Sequence, residues 1–368
     1  MTRQRSIWLL KHRRGGDLAQ MRNLASMLCN GPGDEGSASW AVEEKQLVFH
    51  YPKLVHLPSA AHWLLDRERS DSLDPPWPDA IVVAEKIAAW VARALKVRTG
   101  DQTKVIVLGR PAGQITPFDL ILTTAQYGLP AAQNVVTLPL PLATSPSAPA
   151  EERQALLQHM AGKPRPWIAV LIGGSVPPDG LDEKAIAQIT EAAHRKALES
   201  GGSLMVLTGP RTGRRCEEDI RRSLREADLL QLWTTESKPN LYKATLAEAD
   251  YFLVTSDSVS MTVEALSTGK PVSVFMLPQK FPPGLRIASA LNTSAGIAVA
   301  RPAQIWKLIS LLFRNGILEA PPDRPRFYRD LVARGVLAIY PDFPARSGAK
   351  LADEAGATAL SAVKKLLA

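Results

Sequence analysis

Residues 251–275, YFLVTSDSVSMTVEALSTGKPVSVF, spell out a strand, a turn, a helix, a stop and a second strand, and this unit decides the fold. Tyr251-Phe252-Leu253-Val254 is a short apolar run, as a strand buried on both faces requires. Thr255-Ser256-Asp257-Ser258 breaks it with small polar residues suited to a helix N-terminus. The helix expected from Val259 to Thr268 carries Val259, Val263 and Leu266 on one stripe. Gly269 closes it, Lys270 and Pro271 lie just beyond as stop signals, and Val272 to Phe275 is the next strand.

The same alternation extends outward. Trp167 to Ile172 reads as a strand ending at Gly173-Gly174-Ser175. Leu181, Ala185, Ile189 and Ala192 mark a helix, and Leu204 to Leu207 is a strand ending at Thr208-Gly209. In the first half, Ile7 to Leu10 is a strand running into Gly15-Gly16, followed by a helix with Leu18, Met21, Leu24, Ala25 and Leu28 on one face. Leu47-Val48-Phe49, Ala80 to Val83, Val105 to Leu108 and Leu120 to Leu122 read as further strands, with a helix over Glu85 to Val97 and a loop over Asn30 to Ser39. Prolines crowd between Pro139 and Pro166, marking a linker broken by one short helix near Glu151 to Met160. The expected fold is α/β, two doubly wound domains facing a cleft. Their expected bounds are 1–145 and 167–340, with a linker and short helix over 146–166 and a C-terminal tail or helix over 341–368 that packs back on the first domain.

The chain has 368 residues, 45% hydrophobic and 22% charged, which fits two globular domains and excludes wholesale disorder. Two cysteines, Cys29 and Cys216, far apart, support neither a disulfide framework nor a zinc site and make a reducing compartment the default. No run of 18 apolar residues suggests a transmembrane helix. Basic residues before Asp17 resemble a presequence, but Ser6 to Leu10 leads straight into a glycine pair, favouring a core strand. The net charge of +8 favours anionic partners without choosing among them. The densest basic cluster, Arg211, Arg214, Arg215, Arg221, Arg222 and Arg225, reads either as a solvated helix laced with ion pairs or as a ligand- or membrane-facing patch. Aromatics do not interleave with it, so nucleic acid is not expected.

Ligands of open α/β sheets bind beyond the carboxyl ends of the strands. Three such ends carry suitable residues. Gly173-Gly174-Ser175 would let a phosphate approach backbone N–H groups, unless the glycines are plain turn devices. Thr208-Gly209-Pro210-Arg211 could supply a hydroxyl and a guanidinium. Asp257-Ser258-Val259-Ser260 opens a helix whose first amides favour an anion, unless Asp257 or Ser258 is merely an N-cap. Glu264 lies six residues after Ser258, about 9 Å along the axis, roughly the span from a diphosphate to the ribose hydroxyls. Equally, Glu264 could be a solvent-facing residue opposite the apolar stripe. The histidines form no metal-ligand pattern, and the nucleophile-elbow, P-loop, full dinucleotide-binding and D-x-D signatures are missing. No metal and no cofactor is expected.

Several of these stretches carry a resemblance. Gly16-Asp17-Leu18-Ala19-Gln20, Pro78 to Val82, Gly109-Arg110-Pro111, Phe118-Asp119-Leu120, Gln126 to Pro130 and Asn134-Val135 resemble a bacterial family related to the plant mitochondrial-fission (elongated-mitochondria) proteins. Leu246 to Asp250, Thr255 to Met261, Glu264-Ala265 and Thr268 to Val272 resemble it most specifically. The similarity runs from about Ile7 to Asp342. It implies a two-Rossmann, GT-B-like architecture and glycosyltransferase activity linked to lipooligosaccharide outer-core assembly. By resemblance, the donor's diphosphate would rest near Gly173, Gly174 and Ser258 to Ser260, with Val259 and Met261 in the same block, Glu264 on the ribose, and Arg211 or Lys270 offsetting leaving-group charge. Gly15, Gly16, Gln20, Ser175, Thr208, Gly209 and Asp257 complete the nucleotide-sugar contacts it implies. Asp17 is the candidate base and His12 the second, although Asp17 could simply cap its helix. The implied partners are a nucleotide-sugar donor and a glycan or lipid-linked acceptor, with the enzyme cytoplasmic and peripheral at an anionic inner membrane. A non-catalytic adaptor, like the plant relatives, and a nucleotide-sugar epimerase are the other readings. One departure is clear: relatives often carry Gly-Arg-Arg where this chain has Ala84-Glu85-Lys86.

Overall fold

The computed structural model describes residues 4–12, 15–30, 40–50, 65–111, 114–143, 147–175, 178–234, 239–279, 322–344 and 348–368. The loop expected over Asn30 to Ser39 lies largely outside them. Strands and helices alternate over most of the described residues. The first half contains β1 (Ser6–Lys11), α1 (Gly15–Asn30), β2 (Ala41–Gln46), β3 (Ala80–Val83), α2 (Lys86–Arg98), β4 (Lys104–Leu108), β5 (Leu120–Thr124) and β6 (Val135–Leu138). After α3 (Ala150–His159) come β7 (Trp167–Ile172), α4 (Glu183–Ser200), β8 (Ser203–Thr208), α5 (Arg214–Ser223), β9 (Leu229–Gln231), α6 (Tyr242–Glu248), β10 (Tyr251–Thr255), α7 (Val259–Ser267) and β11 (Val272–Phe275). The last elements are α8 (Arg324–Ala333), β12 (Ala338–Ile339) and α9 (Ala349–Leu367).

The strands form two parallel six-stranded sheets, ordered β2-β1-β3-β4-β5-β6 and β12-β11-β10-β7-β8-β9. This is the expected α/β class. The chain divides into two compact units, Met1–Leu142 with Arg286–Asp323 and Asp353–Ala368, and Ala143–Leu285 with Arg324–Ala352. The interior strands are continuous apolar runs because both their faces are covered. Ala80, Ile81, Val82 and Val83 of β3 are fully buried, as are Ile168 to Ile172 of β7. Each such Val, Leu or Ile contributes about 1.5–3 kcal/mol by leaving water. On α4, buried Ala185, Ile186, Ile189, Ala192 and Ala193 recur at helical spacing against β7 and β8. Asp182 caps that helix by accepting from Ala185 N–H at 3.0 Å, and Gly201 ends it at φ +65°.

The second strand departs from expectation. Leu47-Val48-Phe49 is not a strand of the sheet; β2 precedes it as Ala41–Gln46. An edge strand pairs on one side only, so its residues need not be apolar, and Glu44 instead meets Lys11 at 2.7 Å and Arg22 at 2.5 Å. Leu47 and Phe49 still bury their side chains in the core, and Phe49 makes one antiparallel bridge to Leu65.

Candidate functional site

The strand order of the second unit reverses between β7 and β10, with Val254 opposite Leu171, so Ile172 and Thr255 end their strands side by side. Such a reversal opens a crevice where α/β sheets bind ligands. Here Gly173 N–H donates to Thr255 Oγ1 at 2.8 Å and Gly174 N–H donates to Asp257 Oδ2 at 2.7 Å. A Cβ on Gly173 would lie 2.2 Å from Asp257 Oδ2, and one on Gly174 would lie 2.1 Å from the Arg211 carbonyl oxygen. Both glycines are therefore required by the protein's own atoms. This corrects the expectation of two amides open to a phosphate, since a hydroxyl and a carboxylate already occupy them. Ser175 beside them is exposed.

Asp257 is 3% exposed, and among the described residues its Oδ1 has no hydrogen-bond partner. Burial raises its pKa; the Gly174 N–H, the Thr255 hydroxyl and Arg211 pull it back, while Asp179 adds to the rise. The turn after β8 closes the same crevice. Gly209 N–H donates to Ile172 C=O at 2.9 Å and to Thr212 Oγ1 at 3.0 Å, while the Thr212 hydroxyl donates to Gly173 C=O. A Cβ on Gly209 would meet Met261 Cε at 3.0 Å. Thr208 accepts from Trp233 N–H at 2.8 Å, so its oxygen holds the chain after β9 in place. Arg211 is exposed at the rim.

Among the described residues no side chain is bonded to the first amides of α7. Ser258 occupies the N-cap position without a side-chain cap bond, and Asp257 is turned to Gly174 instead. Thr262 N–H, bonded to Ser258 C=O at 3.1 Å, is an early rung of the helix, so the amides of Val259, Ser260 and Met261 come before it. Val259 and Met261 are half-buried, and Ser260 is exposed. Two turns on, half-buried Glu264 accepts from the Tyr242 hydroxyl at 2.5 Å. Glu264 is thus not a fully solvated helix residue, and burial raises its pKa.

Lys270 requires a correction. It follows α7 at the amino ends of the strands, the edge opposite Ile172 and Thr255. Its Nζ donates to Ala247 C=O at 2.5 Å and lies 3.5 Å from Leu246 C=O, so it caps the C-terminus of α6 and does not face a leaving group. Burial lowers its pKa, as expected for a half-covered ammonium.

The first unit reverses its strand order between β1 and β3. His12 follows β1 there. Its backbone N–H donates to Glu85 Oε1 at 3.1 Å, its Nδ1 lies 2.9 Å from Leu47 C=O, and its ring meets Phe49 edge-on. A carbonyl only accepts, so Nδ1 is the donor to Leu47. Glu85, the departure from Gly-Arg-Arg, therefore tethers the His12 backbone. Gly15 and Gly16 open α1, Asp17 sits in its first turn where the helix dipole favours a carboxylate, and half-buried Gln20 follows. Among the described residues no group of three or more His, Cys, Asp or Glu side chains is placed to hold a metal, and no helix is long and apolar enough to cross a membrane.

Residues 15–304 match the family described as mitochondrial fission ELM1. The chain belongs to that family. Mitochondrial fission protein ELM1 of Arabidopsis thaliana is 23% identical over 220 residues, covering 54% of this chain and 51% of that protein, so the chain spans about half the length of that ELM1 relative. Among solved structures, UDP-bound MnaA of S. aureus is 13% identical with a TM-score of 0.46, covering 89% of this chain and 94% of that one. UDP-glucose-bound UGT71G1 of Medicago truncatula is 9% identical with a TM-score of 0.46, covering 99% of both chains. The spinosyn forosaminyltransferase SpnP is 11% identical with a TM-score of 0.47, covering 99% and 95%.

Four features of this ELM1-family site escape a reading by local spacing. Tyr242 reaches Glu264 from α6, and Thr212 locks the turn after β8. Behind the crevice, buried Tyr328 donates to Ser256 C=O at 2.9 Å and Arg324 pairs with Asp179 at 2.6 Å. Leu241, Ala244, Thr245 and Leu246 recur at helical spacing, which signals α6 but not what its tyrosine touches.

Proposed function

We propose that this ELM1-family chain is a metal-independent glycosyltransferase that moves a sugar from a nucleotide-sugar donor to a glycan or lipid-linked acceptor, in lipopolysaccharide or lipooligosaccharide core assembly. The observation that carries this reading is the N-terminus of α7 at the β7/β10 reversal, where Ser258 makes no side-chain cap bond, with half-buried Glu264 two turns along the same helix. The donor diphosphate rests on the amides of Val259, Ser260 and Met261 and the hydroxyls of Ser258 and Ser260, where the helix dipole favours negative charge. Gly173, Gly174, Gly209 and Thr212 shape the wall behind it. Glu264 accepts hydrogen bonds from the ribose. In the transfer, the acceptor oxygen bonds to the anomeric carbon, the bond from that carbon to the diphosphate oxygen breaks, and the nucleoside diphosphate leaves with the electron pair. Arg211 and the α7 amides offset that charge. Asp17 is the candidate base for the acceptor's hydroxyl proton and His12 the second. Exposed Arg211, Arg214, Arg215, Arg221 and Arg225 suit peripheral contact with an anionic membrane.

Family membership supports a second reading equally, a non-catalytic adaptor, in keeping with the fission role named for the Arabidopsis relative. Calorimetric titration with UDP-, GDP-, ADP- and CMP-sugars separates the two. Binding of one nucleotide class, weakened more than tenfold (about 1.4 kcal/mol) by Glu264→Ala, is the expected result. A folded protein that binds none of them overturns the transferase reading and leaves the adaptor.

A further inference from the structure

Tyr242 opens α6, and its hydroxyl donates to Glu264 Oε2 of α7 at 2.5 Å, across 22 residues of chain. Both side chains are partly covered and partly open to solvent. Burial, and next to it the Glu264 charge, hold the Tyr242 hydroxyl well above its ordinary pKa, so it carries its proton and is the donor. Burial raises the Glu264 pKa, and the Tyr242 hydrogen bond opposes that rise, followed by Lys243. A glutamate on a helix surface has three rotatable bonds; one anchored oxygen removes most of that freedom. An ionised carboxylate offers about four lone-pair positions, and Tyr242 uses one.

We propose that Tyr242 is a positioning residue that fixes the Glu264 carboxylate to accept from a vicinal diol, so that the site takes ribonucleotides in preference to 2′-deoxyribonucleotides. The inference rests on the reading of Glu264 as the ribose contact. A preset carboxylate meets both ribose hydroxyls without reordering, and a ligand lacking one hydroxyl leaves a partly buried charge short of a partner. Sites built to hydrogen-bond a hydroxyl reject the analogue lacking it for this reason. Without the anchor, Glu264 turns toward water and gains little from the second hydroxyl.

The test is calorimetric titration of the full chain and its Tyr242→Phe and Glu264→Gln variants with UDP, GDP, ADP and CDP and their 2′-deoxy counterparts. The wild type is expected to prefer the ribonucleotide by about 10- to 100-fold, the range of one hydrogen bond to a charged group. Tyr242→Phe should shrink that preference to within about threefold while leaving deoxyribonucleotide affinity near the wild-type value, which also serves as the folding control. In the Glu264→Gln background, Tyr242→Phe should change the preference no further. A ligand-free measurement backs this up: in carboxyl NMR titrations the Glu264 pKa should rise in Tyr242→Phe, because a donor to the charged form is lost. A wild-type preference that survives Tyr242→Phe but not Glu264→Gln, with the Glu264 titration unmoved, overturns the positioning role and spares the donor site. A folded wild type that binds none of the nucleotides overturns both.

Discussion

Gly173→Ala should cost stability chiefly through Asp257, and a double-mutant cycle measures that link. The new Cβ would lie 2.2 Å from Asp257 Oδ2 and 2.7 Å from both Cγ and Oδ1, so the carboxylate must move. Moving it breaks the 2.7 Å bond from Gly174 N–H, a hydrogen bond to a charged or proton-sharing acid worth roughly 1.5–3 kcal/mol. Repacking around an added methyl in a filled interior adds about 1–3 kcal/mol. Gly173→Ala alone is thus expected to cost about 3–5 kcal/mol. Asp257→Ala alone leaves Gly174 N–H unpaired, at about 1–3 kcal/mol, but removes an acid whose Oδ1 has no partner among the described residues. In the double variant the Cβ meets no carboxylate, and the hydrogen bond cannot be lost twice. The two costs should therefore fall short of additivity by about 2 kcal/mol, where independent sites add within about 0.5 kcal/mol. Urea denaturation of a background in which Trp167 and Trp233 are the retained tryptophans, the other six replaced by Phe, reports on the second unit, and the cycle is measured in that background because the chain holds two units. Additivity within about 0.5 kcal/mol would refute the reasoning that Asp257 is what keeps residue 173 a glycine.

The same carboxylate gives a pH signature. Because burial raises the folded-state pKa of Asp257, the native state holds this proton more tightly than the unfolded chain, so stability falls as pH climbs from the ordinary value of 3.8 through the raised one. Asp257→Asn should flatten that portion of a stability-versus-pH curve measured by urea melts, and an unchanged slope would argue against a raised pKa. Lys270→Gln should lower stability by about 1 kcal/mol through loss of the cap on Leu246 and Ala247, yet leave nucleotide affinity by calorimetry within about twofold; a large affinity loss would return Lys270 to the site.

How much was legible follows a physical line. The eight interior strands stand out as apolar runs: Ile7 to Leu10, Ala80 to Val83, Val105 to Leu108 and Leu120 to Leu122 in one sheet, and Trp167 to Ile172, Leu204 to Leu207, Tyr251 to Val254 and Val272 to Phe275 in the other. The four edge strands, β2, β6, β9 and β12, do not, because pairing on one side relaxes the demand for apolar residues and permits short or charged strands. The helix from Val259 and its stop at Gly269 are likewise local signals, and Gly269 indeed takes φ +77°.

The site divides the same way. Spacing along α7 placed Glu264 two turns from Ser258, since helical rise is a property of the local chain. Hydrogen bonds across long loops leave no such period. Tertiary structure alone set Asp257 on Gly174 across 83 residues, joined Tyr242 to Glu264, and closed the amides that the glycine pair promised to a ligand. It also joined Lys270 to the Ala247 carbonyl at the end of α6, across 23 residues of chain. Sequence determined the elements and their order, which rest on local periodicity and burial; the fold decided which side chains meet, which rests on the register of strands far apart in the chain.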